Sequence, residues 1–325
     1  MAKAIARNHH YVCDFLLKNF ADESGTLWIY DSKLGTCRDG NTRSAGFERD
    51  LYLLTLVRKG PDYATLEAAL ERQIDSPGAL AIQKLLNHEQ CDHSEWMNFL
   101  GFVAAQMVRT PAYFDRLRAM ESPVLQEMLE RMAKFDPEFR EGLRKDMMKQ
   151  GAARDEVERQ LQAAANGRYK VRPTHAWIVA NAMQMVSTIH SELREMHWTF
   201  LTVPDGEPEL LIGDCPVMLA EPGPEEEHPR PLGLRNPNIE VVLPLSRRMV
   251  AVGRRDGPDS FGELVKGSAD VINARTLSYT RRFVFAPYQS EALLVDVGRL
   301  RGTGPKLRMR RIQTAKGLMM ISEYR

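Results

Sequence analysis

The chain changes period at His197, and that change limits its possible folds more than any other feature. Before it, apolar residues recur every three or four positions. Trp96, Phe99, Leu100, Val103 and Met107 form one such stripe, a spacing that gathers residues on one helical face. After it, short apolar runs alternate with Pro- and Gly-rich turns. Trp198 to Val203, Glu209 to Ile212, Val217 to Ala220, Ile239 to Leu243 and Met249 to Gly253 read as strands. Helices first and strands later predict an α+β fold, with a mainly helical N-terminal half packed on a largely antiparallel sheet from the C-terminal half. Residues 1–325 suffice for a single domain with a substantial core. Residues 197–297 are its β-rich portion.

Finer signals divide each half. Val12, Phe15, Leu16 and Phe20 share a helical stripe, with Asn8 as its N-cap and His9 and His10 in its first turn. Thr26 to Asp31 opens a small hairpin, and Phe47 to Val57 is a second short extended region. Tyr63 to Gln73 puts Leu66, Leu70 and Ile74 on one face, and Pro77-Gly78 marks a helix start. Ser94 is placed to cap a long helix that Pro111 ends or kinks. Residues 122–167 are polar, Met-rich and helical, with breaks at Pro137 and Gly151, and read as a helical insertion or lid. Pro173 opens a helix running to Glu195. Further on, Gly262 to Tyr279 reads as helix, Phe283 to Ala286 and Ala292 to Val297 as strands, and Glu221 to Pro231 as an exposed loop.

Composition excludes some functions. The net charge of +1 supplies no global field towards nucleic acid or membrane. A local basic strip, Arg299 to Arg311, could meet phosphates or be a solvated strand. No apolar run approaches the ~20 residues of a membrane helix. Cys13, Cys37, Cys91 and Cys215 are far apart, and no signal peptide is evident, which points to a reducing cytoplasm. His88, Cys91 and His93 lie in a short linker and lack a fourth metal ligand. No nucleophile elbow, phosphate-binding P-loop or dinucleotide fingerprint occurs.

The run His9-His10-Tyr11-Val12, then Phe15, Leu17 and Asn19-Phe20, resembles the start of the bacterial family of domain of unknown function 4238. Leu27-Trp28-Ile29-Tyr30-Asp31, Gln106 to Pro111, Ile212 to Val217 and Leu243-Pro244-Leu245-Ser246 resemble its later segments in the same order, over roughly residues 8 to 288. The resemblance implies which residues to inspect and carries no established activity. It also marks departures. The family usually has Glu where this chain has Asp75, Ser-Asp-Asn-Pro where it has Gly213-Asp214-Cys215-Pro216, and Pro-Gln where it has Cys13-Asp14.

Five residues carry the candidate chemistry. Gln106 and Arg109, three apart on one helix, share a face bordering an apolar stripe. A guanidinium there needs an anionic partner, either a substrate phosphate or carboxylate, or an internal Asp75 or Asp214. His10 is a base or ligand, or a histidine fixing a helix end. Asp214 is displayed between two strands, or caps a turn. Glu67 and Glu71 are alternatives to Asp75. If His10, Asp75 and Asp214 converge, they could bind Mg²⁺ or Mn²⁺ as the catalytic set, with Gln106 and Arg109 binding substrate. That inventory suits a metal-dependent phosphodiester hydrolase acting on nucleic acid or a nucleotide, as a toxin or defence effector would. The alternative is a non-enzymatic binding module in which the same residues form a buried polar network.

Overall fold

A computed structural model describes residues 7–54, 65–221 and 233–304, and the backbone of 307–314 and 317–324. Part of the Phe47 to Val57 reading, nearly all of the Glu221 to Pro231 loop and part of the basic strip lie outside the described residues.

The N-terminal run differs from the predicted helix. Asn8–His10 is a strand, β1, and the helix that follows, α1, spans only Asp14–Lys18. β1 pairs antiparallel with a strand some forty positions downstream, His9 facing Glu48. That long-range pairing overrides the local helical period. Val12, Leu16 and Phe20 are still fully buried. The predicted hairpin forms from β2 (Leu27–Asp31) and β3 (Thr36–Gly40), and Phe47–Arg49 is β4, the partner of β1.

Thr65 to Leu86 is one continuous helical stretch: α2 (Thr65–Leu70), a π-helical turn (Glu71–Asp75) and α3 (Ser76–Leu86). Pro77 therefore sits just past a π turn and does not begin a separate helix. The wider turn precedes a residue that has no N–H to donate. A Cβ on Gly78 would lie 2.7 Å from Phe102 Cβ, so glycine permits the close approach to the next helix. That helix, α4 (His93–Val108), is capped by Asp92 and not by Ser94. The Asp92 carboxylate accepts the Glu95 N–H, and the Glu95 carboxylate accepts the Asp92 N–H, a reciprocal box that Ser94 cannot build. Pro111 ends this helix and occupies the first turn of α5 (Pro111–Phe135), which Thr110 caps. Helices α6 (Pro137–Lys149) and α7 (Arg154–Ala165) pack on each other and on α5. Pro123 lies inside α5. Helix α8 (His175–Arg194) lies along α4.

The C-terminal half supplies β5 (His197–Thr202), β6 (Ile212–Gly213), β7 (Met218–Ala220), β8 (Glu240–Ser246), β9 (Met249–Arg254) and β10 (Ser260–Glu263). These are followed by α9 (Ser268–Tyr279), β11 (Phe283–Ala286), α10 (Glu291–Leu300) and the hairpin β12 (Leu307–Thr314) and β13 (Gly317–Tyr324). The predicted strand at Ala292 to Val297 is thus helix α10. Ser290 accepts the Leu293 N–H as a cap, and Leu293 and Val297 are buried at helical spacing. The predicted helix from Gly262 begins only at Ser268, because Ser260–Glu263 adds a strand parallel to β5.

The fold is α+β with mostly antiparallel sheets. A five-stranded sheet runs β10-β5-β9-β8-β7, and a four-stranded sheet runs β3-β2-β11-β6. The second sheet draws strands from both halves, so the N-terminal half also supplies sheet edges. The main core lies between the α3, α4 and α8 helices and the larger sheet, where Phe99 meets Trp198 and Phe200 edge to face at 5.2 and 5.6 Å. Each ring buried there contributes about 1.5–3 kcal/mol. Pro244 interrupts the ladder of β8 with a register shift, as a residue without an N–H must. Asn19 fixes that bulge: its Nδ2 donates to Leu245 O at 2.9 Å, and its carbonyl accepts the Arg247 N–H at 3.1 Å. The Asn19-Phe20 and Leu243-Pro244-Leu245-Ser246 motifs therefore meet in space.

Candidate functional site

Arg109 ends α4 with its side chain fully buried. Each guanidinium nitrogen finds a protein acceptor. Nε and Nη2 donate to Gln106 Oε1 at 2.9 and 2.6 Å, Nη1 to Asp75 Oδ1 at 2.7 Å, and Nη2 also to the Cys13 sulfur. The Phe102 ring lies 5.6 Å from the guanidinium carbon. Asp75 arrives from the end of the π turn, whose extra residue re-aims the helical face towards α4. Burial opposes the Arg109 charge. The Asp75 carboxylate offsets that cost, and the guanidinium stays protonated. Burial also pushes the Cys13 thiol up.

The network continues through Gln106, whose Nε2 donates to Tyr11 O at 2.5 Å. The Tyr52 hydroxyl lies 3.0 Å from His10 O and 3.1 Å from Arg109 O, so it joins β1 to the end of α4. The Tyr52 N–H donates to His9 Nδ1 at 2.8 Å, and the two rings stack at 5.5 Å. His9 is thus the inward histidine of the pair and helps lock the N-terminal strand.

His10 is less enclosed. Its backbone N–H donates to Glu67 Oε1 at 3.1 Å, and its Nδ1 lies 4.0 Å from the same oxygen. Its buried Nε2 has no hydrogen-bond partner among the described residues. Desolvation lowers the His10 pKa and raises that of Glu67 to about 7. Glu67, and not Asp75, is the carboxylate beside His10.

Asp214 occupies a different position. Its Oδ1 accepts the Arg281 N–H at 2.8 Å, and its Oδ2 accepts the Arg282 and Phe283 N–H groups at 2.7 and 2.9 Å. The carboxylate therefore closes the turn leading into β11. Burial raises its pKa, and the three amides act against that rise. The hydroxyl of Tyr11 lies within the electrostatic reach of Asp214, while its carbonyl holds Gln106. Tyr11 therefore lies between the two clusters. The structure thus brings Asp75, Gln106 and Arg109 into one network, places His10 at its edge, and sets Asp214 apart.

Among the described residues, no group of three His, Cys, Asp or Glu side chains is placed to hold an ion. Asp75 engages Arg109, Asp214 engages three backbone amides, and His10 faces Glu67.

Gly213, Cys13 and Asp14 have local roles. A Cβ on Gly213 would lie 2.6 Å from Thr280 Oγ1, so the threonine fills the space a serine would need. Cys13 supplies an acceptor for Arg109, and Asp14 accepts from Thr42 Oγ1 at 2.6 Å while pairing with Lys18 at 2.7 Å. Tyr52 and Cys13 carry no sequence signal of their role, since each joins the network through long-range packing.

Fold and site together define an α+β protein built around a sealed, arginine-centred polar network. The chain belongs to the family described as protein of unknown function (DUF4238), which matches residues 8–289. Comparison with curated proteins and with solved structures gives no match.

Proposed function

We propose that this chain is a non-enzymatic binding module in which the Arg109 network fixes β1 and the π turn against the end of α4. The observation that carries the reading is the closure of Arg109: its side chain is 0% exposed and every guanidinium nitrogen has an internal acceptor. A substrate phosphate would have to displace Asp75 and Gln106 from a guanidinium that itself has no solvent access. Binding then falls to surfaces outside the network. Val124, Met128 and Phe135 are exposed along α5, which suits a protein partner on the 122–167 block. Nucleic acid at the basic C-terminal strip is the other partner considered. All four cysteines are free, in keeping with a reducing cytoplasm, and among the described residues no helix is long and apolar enough to cross a membrane.

One observation favours a second reading, a phosphodiester hydrolase acting on nucleic acid or nucleotides in bacterial toxicity or defence. His10 Nδ1 lies 4.0 Å from Glu67 Oε1, the Glu67 carboxyl is raised to about 7, and such pairs suit proton transfer near neutral pH. In this reading His10 and Glu67 exchange the proton.

The test is a cleavage panel of plasmid, single-stranded DNA, RNA and nucleotides with Mg²⁺, Mn²⁺ or EDTA. The binding-module reading predicts no turnover under any condition. Turnover that disappears in a folded Glu67→Gln variant would establish the hydrolase instead.

A further inference from the structure

The opposite end of α4, about 24 Å from Arg109 at 1.5 Å per residue, borders a cavity of about 540 Å³. Trp96, Phe200 and Phe261 wall it. Trp96 and Phe200 meet edge to face at 6.2 Å, and Phe200 and Phe261 lie 5.3 Å apart with 33° between their planes. Asp92 and Asp259 also line it, both exposed. No lysine or arginine is among the described lining residues, and the basic group present is the His93 imidazole. The nearby Lys84 is committed to Glu95 at 2.6 Å.

Both carboxylates have capacity to spare. Asp92 Oδ1 accepts the Glu95 N–H at 2.9 Å, and Asp259 Oδ1 accepts the Trp198 N–H at 2.6 Å. Among the described residues, the second oxygen of each has no hydrogen-bond donor. Anions are repelled here, and a neutral apolar ligand would leave the carboxylates unused. Aromatic faces present negative charge to a cation, and carboxylates supply the counter-charge. The volume falls within the range of small-molecule pockets.

We propose that this cavity binds a free, small alkylated ammonium compound. The proposal gives the binding module above a ligand class and rests on that reading. It differs from the metal reading of His88, Cys91 and His93, since aromatic walls and two carboxylates carry it.

Calorimetric titration of the full chain with choline tests it, beside the uncharged isostere 3,3-dimethyl-1-butanol and a peptide bearing trimethylated lysine. Choline is expected to bind at least about tenfold tighter than the isostere, and tighter than the peptide. The double variant Asp92→Asn with Asp259→Asn should weaken choline about tenfold at an unchanged melting temperature. Asparagine still caps α4 at position 92, and its carbonyl still accepts the Trp198 N–H at position 259. Equal binding of choline and its isostere, an unaffected double variant, or no heat up to about 10 mM choline would overturn the proposal. Tighter peptide binding would overturn the free-ligand assignment in favour of a partner's tail. Nucleic-acid cleavage by the same preparation would refute the non-enzymatic reading and leave the choline result standing. A silent choline titration alone would refute only this site.

Discussion

Asp75→Ala should damage this protein more than Arg109→Met, although Arg109 makes more hydrogen bonds. The side chains of Arg109 and Asp75 are 0% and 19% exposed. Removing Asp75 leaves a guanidinium sealed from water without its carboxylate, which costs about 3–5 kcal/mol. Removing Arg109 instead leaves a carboxylate that reaches solvent, plus Gln106 Oε1 without its two donors, at about 1–3 kcal/mol. The double variant should therefore be more stable than Asp75→Ala alone, which requires a coupling larger than the Arg109→Met loss, about 3 kcal/mol. Circular dichroism of thermal unfolding reads this directly. At about 2 °C per kcal/mol for a chain of this size, Asp75→Ala should melt about 6–10 °C lower. Urea titrations at constant slope would check that the unfolded state is unaltered. A loss below about 1 kcal/mol for Asp75→Ala, or additive losses in the double variant, would refute the argument.

Three further outcomes follow from the geometry. Burial raises Glu67 from its ordinary 4.5 to about 7, so the folded state holds this proton more tightly than the unfolded chain. The stability tied to Glu67 is full below pH 4.5 and lost as pH rises to about 7, an effect of about 3 kcal/mol. Glu67→Gln keeps the acceptor for His10 and should gain on the wild type over that window in pH-dependent urea denaturation; a pH-independent difference would contradict it. Gly213→Ser should cost about 1–3 kcal/mol through its clash with Thr280, and adding Thr280→Ala should recover part of the loss by thermal melting. Asp214→Asn puts an amide against three backbone donors and should cost about 2–3 kcal/mol on the same assay. An unchanged melting temperature would contradict the turn-closing account.

Much of the fold was legible because local pattern and tertiary packing agree. Phe99, Leu100 and Val103 of the α4 stripe are buried as its spacing implies, with Trp96 and Met107 half-buried at its ends, and Phe283 to Ala286 forms the strand read from its sequence. The misreadings share a cause. Ala292 to Val297 is a short apolar run, which periodicity alone cannot assign to helix or strand; the Ser290 cap decides it. The His9-His10 segment carries a helical stripe but pairs with Glu48, a partner that no local window contains. The site divides in the same way. Gln106 and Arg109 lie three apart on one helix, so their shared face could be read directly. Asp75 was one of two foreseeable partners for Arg109. Tyr52 could not be foreseen, because its role depends on two carbonyls, His10 O and Arg109 O, that only the fold brings together.

The central claim is that the Arg109 guanidinium is sealed among protein acceptors. Nitrogen-15 NMR of the arginine side chains tests it most directly, with assignment by Arg109→Lys. Resolved, slowly exchanging Arg109 N–H signals at neutral pH, unmoved by added phosphate, Mg²⁺ or a dinucleotide, are the predicted result. Rapid exchange, or a shift on adding phosphate or dinucleotide, would contradict the sealed network and restore Arg109 as a substrate-binding residue.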